Sequence, residues 1–391
     1  MSFITTILLF HIISFIKIKC QNLSFKIQIK QGTGNKTYSI PLFPLKVGDT
    51  EVDTVYSGLK SNSEVLYAFS SKQNEAKING KYYKADDKKK LNKSKSIKFF
   101  GEERNGNMYK DKITIGNKSF ELEFVYVDIL GIYNGYINFG SKSLEYLKNN
   151  KIISKATIHY SPYNDKNGSM EVEIGGSYNF KNPKFTDTCK IENEYSGCIL
   201  KKMYISSNGT ETNNKNESFE VNAQVEFFNS ELFLNKENII VGNPKIVNDI
   251  QEKLNKIGFN CTNGICEPKS TNKSLYLVFG EKGIKLSKIY FAENQHPNLI
   301  FGFNTLKDVD IVLDYDEKKV SFYSGYEKNS TKDTNVPSDK DKSKMNKIII
   351  ICAIVVGILI VAVVLYYCLF HKKEKGDFAA SGAENLLPED Q

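Results

Sequence analysis

Outside its two terminal segments the chain offers few side chains that could do chemistry. Of four histidines, only His159 and His296 lie in the body. A Cys–His or Ser–His nucleophile needs its base within hydrogen-bond reach. Neither histidine has a motif around it, His159 sitting in a strand-like stretch and His296 beside Pro297. Both read as structural. No H-E-x-x-H or C-x-x-C pair offers a metal site, and no glycine-rich loop offers a phosphate cradle. Glu281-Lys-Gly-Ile284 carries too little pattern for a nucleotide site. No metal and no cofactor are expected.

Cysteine chemistry points to a compartment instead. Cys20, Cys352 and Cys368 belong to apolar segments, which leaves Cys189, Cys198, Cys261 and Cys266, an even number. In an oxidising compartment these form disulfides. Their spacing favours Cys189–Cys198 and Cys261–Cys266, although four cysteines allow three connectivities. Ten N-x-S/T sequons, at Asn22, Asn35, Asn92, Asn117, Asn167, Asn208, Asn216, Asn260, Asn272 and Asn329, are candidate glycan acceptors. Residues 1–20 have the apolar run and polar exit of a secretory signal peptide. The stretch from Ile348 to Phe370 is apolar for 23 residues, and a membrane span needs ~20. Lysines flank it on both sides, so the signal peptide sets the orientation. The expectation is a single-pass type I membrane protein of the cell surface or an endomembrane lumen. It has a polar stalk over 331–347 and a cytoplasmic tail over 371–391.

The net charge of +8 comes from lysines scattered through a Lys- and Asn-rich chain, so no nucleic-acid partner is expected. Their one concentration, from Lys84 to Lys98, reads as a solvated surface loop. With 40% hydrophobic residues, the body can bury a substantial core. Its pattern is mainly β. Alternating or β-branched runs at 38–47, 112–115, 120–127, 157–160 and 170–174 read as strands. Helical periodicity is confined to 143–149 and to 244–257, where Ile246, Val247, Ile250 and Leu254 share a face.

The most informative stretch is 299–323. An apolar triplet closed by Gly302 is followed by Val309, Ile311 and Leu313 alternating with Asp310, Val312 and Asp314, the period of a half-buried strand. Asp316-Glu-Lys-Lys319 makes a polar turn, and Val320-Ser-Phe-Tyr323 starts the return strand. This stretch resembles the closing hairpin of pepsin-like aspartic proteases. Other segments resemble that family in order. Asn134-Gly-Tyr-Ile-Asn-Phe-Gly140 is similar to the first lobe's apolar-Gly stretch, with Asn138 replacing its middle Gly. Gly168-Ser-Met-Glu-Val-Glu-Ile-Gly-Gly176 is similar to a hairpin ending in a glycine pair. Phe99-Phe-Gly101 with Lys112-Ile-Thr-Ile-Gly116 is similar to the substrate flap, with Phe100 at the flap tyrosine and Glu102–Asn107 at the tip. The resemblance implies a two-lobed β fold over 21–330, its lobes at about 38–180 and 181–325.

The family's chemistry requires two Asp carboxylates, one per lobe, each in a D-T/S-G turn, sharing a proton so that one acts as acid and the other as base. The matching second-lobe position is Phe228-Asn229-Ser230, and no Asp occurs from Gly197 to Asn248. Glu226 and Glu231 are the nearest carboxylates, and the plain reading of each is a solvated strand residue. In the first lobe the position falls on Lys60-Ser61-Asn62 or, in another register, on Tyr56-Ser57-Gly58. Asp53-Thr54-Val55 keeps an Asp but loses the Gly. Only about seventeen residues separate the signal from Tyr38, short for an inhibitory pro-segment. The expected function is therefore non-catalytic, a membrane-anchored pseudoprotease binding a peptide or protein ligand in the inter-lobe cleft. The alternatives are an active aspartic endopeptidase with unrecognised acids and a structural surface glycoprotein.

Overall fold

The computed structural model describes residues 22–31, 39–56, 67–70, 83–99, 102–116, 118–128, 135–164, 167–178, 180–191, 197–208, 217–227, 239–286, 289–295, 297–302, 305–306 and 308–325. By backbone contacts the chain divides into Met1–Glu327 and Lys328–Gln391, and every described residue belongs to the first unit.

The described chain is mainly β. With strands numbered in chain order, a 13-stranded sheet runs β11 (Phe185–Lys190), β22 (Lys319–Ser324), β21 (Asp310–Asp314), β9 (Thr157–Tyr160), β10 (Ser169–Ile174), β1 (Leu23–Gln31), β2 (Ser39–Val47), β3 (Thr50–Tyr56), β8 (Gly135–Ile137), β4 (Tyr67–Ser70), β7 (Lys118–Val127), β6 (Glu102–Ile115) and β5 (Lys90–Phe99). A 9-stranded sheet runs β15 (Phe259–Thr262), β16 (Ile265–Pro268), β19 (Ile289–Glu293), β14 (Ile239–Gly242), β20 (Leu299–Phe301), β13 (Ser218–Phe227), β12 (Ile199–Ser206), β17 (Ser274–Val278) and β18 (Gly283–Leu286). The two helices stand where the sequence places them, α1 over Ser141–Asn149 and α2 over Pro244–Lys256. The second begins well because Pro244 sits at its start and the Asn243 side chain accepts from the Lys245 amide.

Six strands, β11-β22-β21-β9-β10-β1, are antiparallel throughout and draw on the beginning, middle and end of the chain. One face is continuous core, with Phe25, Ile27, Val172, Ile158, Tyr160, Leu313 and Phe322 all buried. The first of these strands, β1, escaped the sequence reading although Leu23, Phe25 and Ile27 alternate with exposed Ser24, Lys26 and Gln28. The closing hairpin forms as expected, with one difference. Asp310 and Val312 are buried as well as Ile311 and Leu313, so β21 is covered on both faces rather than half-buried. On the second face His159 Nε2 lies 2.8 Å from Asp310 Oδ1, and the His159 ring packs against Tyr178 and Phe180. His159 is structural, paired to a buried carboxylate beneath aromatic cover. At the glycine pair, Gly175 has φ +89° and its α-carbon abuts the Ile153 side chain, so a Cβ there would be excluded twice over. Buried Asn138, the departure from the apolar-Gly pattern, accepts from the Gly140 amide at 2.7 Å and so fixes the entry to α1.

Both disulfides favoured by spacing are present, Cys189–Cys198 and Cys261–Cys266. The second joins residues directly opposite each other in the β15–β16 hairpin.

Candidate functional site

The same strand arrangement occurs twice. In the first sheet β8 lies between β3, which runs parallel to it, and β4, which runs antiparallel, with β7 parallel on the far side of β4. In the second sheet β20 lies between parallel β13 and antiparallel β14, with β19 parallel beyond. The registers superpose residue by residue. Thr54, Val55 and Tyr56 correspond to Val225, Glu226 and Phe227, and Tyr67 and Ala68 correspond to Ile240 and Val241. The segments that join the first strand to the antiparallel one, 57–66 and 228–238, lie outside the described residues, and the strand residues that flank them correspond.

The sequence of these segments limits what chemistry they could hold. Neither contains an Asp. Asp53 lies before the first of them. It lies inside β3, opposite Pro44 of β2, one residue before the pairing with β8 begins. Its counterpart in the second copy is Gln224. Thr54, which follows it, is fully buried and donates to the Val52 carbonyl.

Tyr56 closes β3, and its counterpart Phe227 is core, ringed by Phe279, Phe301 and Phe322 at 5.7, 6.1 and 5.8 Å between centroids. Lys60, Phe228, Glu231 and the flap residue Phe100 lie outside the described residues.

Glu226 departs from the solvated role read from sequence. It is 5% exposed and accepts from the Asn298 side-chain amide at 2.7 Å. The reason is its position on an interior strand, flanked by β12 and β20 and covered on both faces. Its counterpart is Val55, so the two copies do not supply a carboxylate pair at this level.

The flap-like hairpin is longer than the sequence suggests. β6 is a single strand from Glu102 onward, and Phe99 pairs with Glu102, while 100–101 lie outside the described residues. Glu102–Asn107, read from sequence as the tip, is strand. Its pairing with β7 begins only at Asn107. The ribbon of 96–99 and 102–105 therefore projects about 14 Å past β7, at ~3.4 Å per residue. The lysine run is likewise no loop, forming a short 3₁₀ turn (Asp87–Lys89) and then β5.

A polar hub fixes the base of this hairpin. Asp111 on β6 is 6% exposed and accepts from Tyr83 Oη at 2.6 Å, Lys89 Nζ at 2.7 Å and the Lys112 amide at 2.7 Å. Burial raises the Asp111 pKa, but the hydrogen bonds from Lys89, Tyr83 and Lys112 outweigh it and hold the carboxyl below its ordinary range. Asp316 in the closing turn is also held low, burial being outweighed by Lys148 and the Ala156 amide.

Such carboxyls stabilise the fold above the unfolded carboxylate pKa of ~3.9, and that contribution is lost as pH falls through the lower folded value. The unfolding midpoint is expected to stay level from neutral pH to about 5 and then drop below about 4. Asp111→Asn should lower the midpoint at neutral pH and flatten the acid slope, read by thermal unfolding. An unchanged slope would remove Asp111 as a source of the acid sensitivity.

His296 lies outside the described residues. Among the described residues no group of three or more His, Cys, Asp or Glu side chains is placed to hold a metal ion. Among them, too, no helix is long and apolar enough to cross a membrane, and 348–370 lies outside them. The sequon asparagines that are described, Asn22, Asn92, Asn167, Asn208, Asn260 and Asn272, are all exposed, whereas Asn35, Asn117, Asn216 and Asn329 lie outside the described residues. Compared with protein-family models and with curated proteins, the chain matches none.

Proposed function

We propose that this chain is a pepsin-like pseudoprotease, a membrane-anchored glycoprotein that binds an extended peptide or protein segment between two lobes and does not cleave it. One observation carries the reading. The strands that flank 57–66 and 228–238 correspond between the two sheets, and neither of these segments, to which the resemblance assigns the family's carboxylates, contains an Asp. Asp53, the remaining first-lobe candidate, is held in mid-strand with Gln224 as its counterpart. A lone carboxylate cannot divide acid and base roles between two groups. The projecting hairpin supports a binding role, since an extended ligand can hydrogen-bond a strand-like flap. The two disulfides and the exposed sequons fit a lumenal or extracellular body.

The test is incubation of the purified full chain with a diverse peptide library from about pH 3 to pH 7, with and without a transition-state inhibitor of aspartic proteases. The expected result is no inhibitor-sensitive cleavage, unchanged in Asp53→Ala, with a subset of peptides retained. Inhibitor-sensitive cleavage that disappears in Asp53→Ala would establish the active-endopeptidase alternative. Absence of both cleavage and retention would favour a structural surface glycoprotein.

A further inference from the structure

We propose that the outer edge of β5 accepts an extended acidic segment of a partner protein by strand addition. β5 ends the 13-stranded sheet, and among the described residues no strand lies beyond it. Its pairing with β6 shifts register between Lys90 and Ser94 and is regular from Ser94 to Phe99, so the last six residues present an unbroken row of backbone groups to any chain that can lie alongside.

The side chains specify which chain that is. Residues 84–98 carry seven lysines against two acids, Asp86 and Asp87. Lys88, Lys90 and Lys93 are exposed. Leu91 and Ile97 pack on one small apolar cluster with Met108 and Val125, which puts both on the same face of the strand. Lys93 reaches Glu123 on that face, two residues from Val125. The face therefore reads apolar, Lys, Lys, apolar at alternate positions 91, 93, 95 and 97. Lys93 already has an ion pair, but it is 52% exposed and such surface pairs are weak enough to exchange.

A second copy of this edge would set lysine against lysine and be repelled. A strand patterned apolar, acid, acid, apolar meets complementary neighbours at each position. Main-chain pairing supplies affinity and the lysines supply selection, which favours a peptide over other polyanions. This surface is separate from the proposed cleft and does not depend on it.

The probe is a fluorescent decapeptide with Val, Glu, Glu and Val at alternate positions, compared with the same peptide carrying Lys for Glu. Binding to the full chain is read by anisotropy, and backbone protection by hydrogen exchange. A sugar on Asn92 would flank this edge, so both are measured before and after enzymatic removal of N-glycans. The acidic peptide is expected to bind the deglycosylated chain at least, to slow exchange within 90–99, and to lose about tenfold in affinity in Lys93→Gln/Lys95→Gln. Should that variant fold poorly, the salt dependence of wild-type binding replaces it, and affinity must fall as salt rises. Equal binding of the two peptides, protection elsewhere with β5 unchanged, salt-independent binding, or no binding in either glycan state would each overturn the proposal.

Discussion

Gly197→Ala is expected to unfold the second sheet at temperatures where the wild type is intact. Gly197 is buried just ahead of β12, where the chain crosses the backbone of β13. A Cβ there would overlap the Val225 carbonyl oxygen and crowd the Val225 carbonyl carbon. These are backbone atoms, and they cannot swing aside as a side-chain end can. Val225 is also held in place, its amide donating to the Cys198 carbonyl at 2.8 Å and its strand pairing with β20. The cost should reach roughly 3 kcal/mol or more, at the severe end for a single methyl. Gly258→Ala is the control. Gly258 has φ +108° but its nearest neighbour would be 3.5 Å away, so that change should cost only about 1–2 kcal/mol of backbone strain. Urea unfolding of both variants distinguishes the two causes, and equal losses would mean that the crossing at Val225 relaxes.

Asp187→Ala should have the next largest effect. Asp187 is 6% exposed on β11, the edge of the first sheet, and reaches the turn between β17 and β18 of the second. Its Oδ2 accepts from the Gly280 amide at 3.0 Å and its Oδ1 from the Glu281 amide at 2.9 Å. Removing the carboxylate leaves two backbone donors without their acceptor, and hydrogen bonds to charged groups each contribute about 1.5–3 kcal/mol. A loss of about 2–4 kcal/mol in urea unfolding is expected. Asp187→Asn keeps one acceptor and should lose roughly half as much. Hydrogen exchange should quicken first at the Gly280 and Glu281 amides. If it quickens uniformly instead, Asp187 is not a local tie between the sheets.

What the sequence revealed depended on burial. β9 and both helices were legible because their apolar residues recur at a regular period against a core. The lysine-rich β5 and the outer half of β6 were not, because Glu103, Arg104 and Asn105 are exposed and, among its described residues, β5 buries only Ile97 fully, with lysines at the alternate positions between it and Leu91. β1 does alternate, Leu23, Phe25 and Ile27 against Ser24, Lys26 and Gln28, and is as legible as β9. The candidate segments, 57–66 and 228–238, were half legible. Composition alone showed that no Asp is available in the second. Which residues correspond could not be counted from sequence, because Tyr56 to Tyr67 spans eleven steps and Phe227 to Ile240 spans thirteen. Only the pairing across β8 and β20 fixes the correspondence, and it does so for the flanking strands alone.

The six antiparallel strands also govern when this protein can become itself. β1 must wait for β10, whose partners lie some 140 residues later, and β9 must wait about as long again for β21. Chain closure over such separations is entropically slow, so the sheet is a late event in folding. A chain emerging from the ribosome holds β9 as an open, apolar edge until the final hairpin arrives. During that interval it is most exposed to mispairing. Any stop codon or cleavage ahead of residue 310 would make that interval permanent.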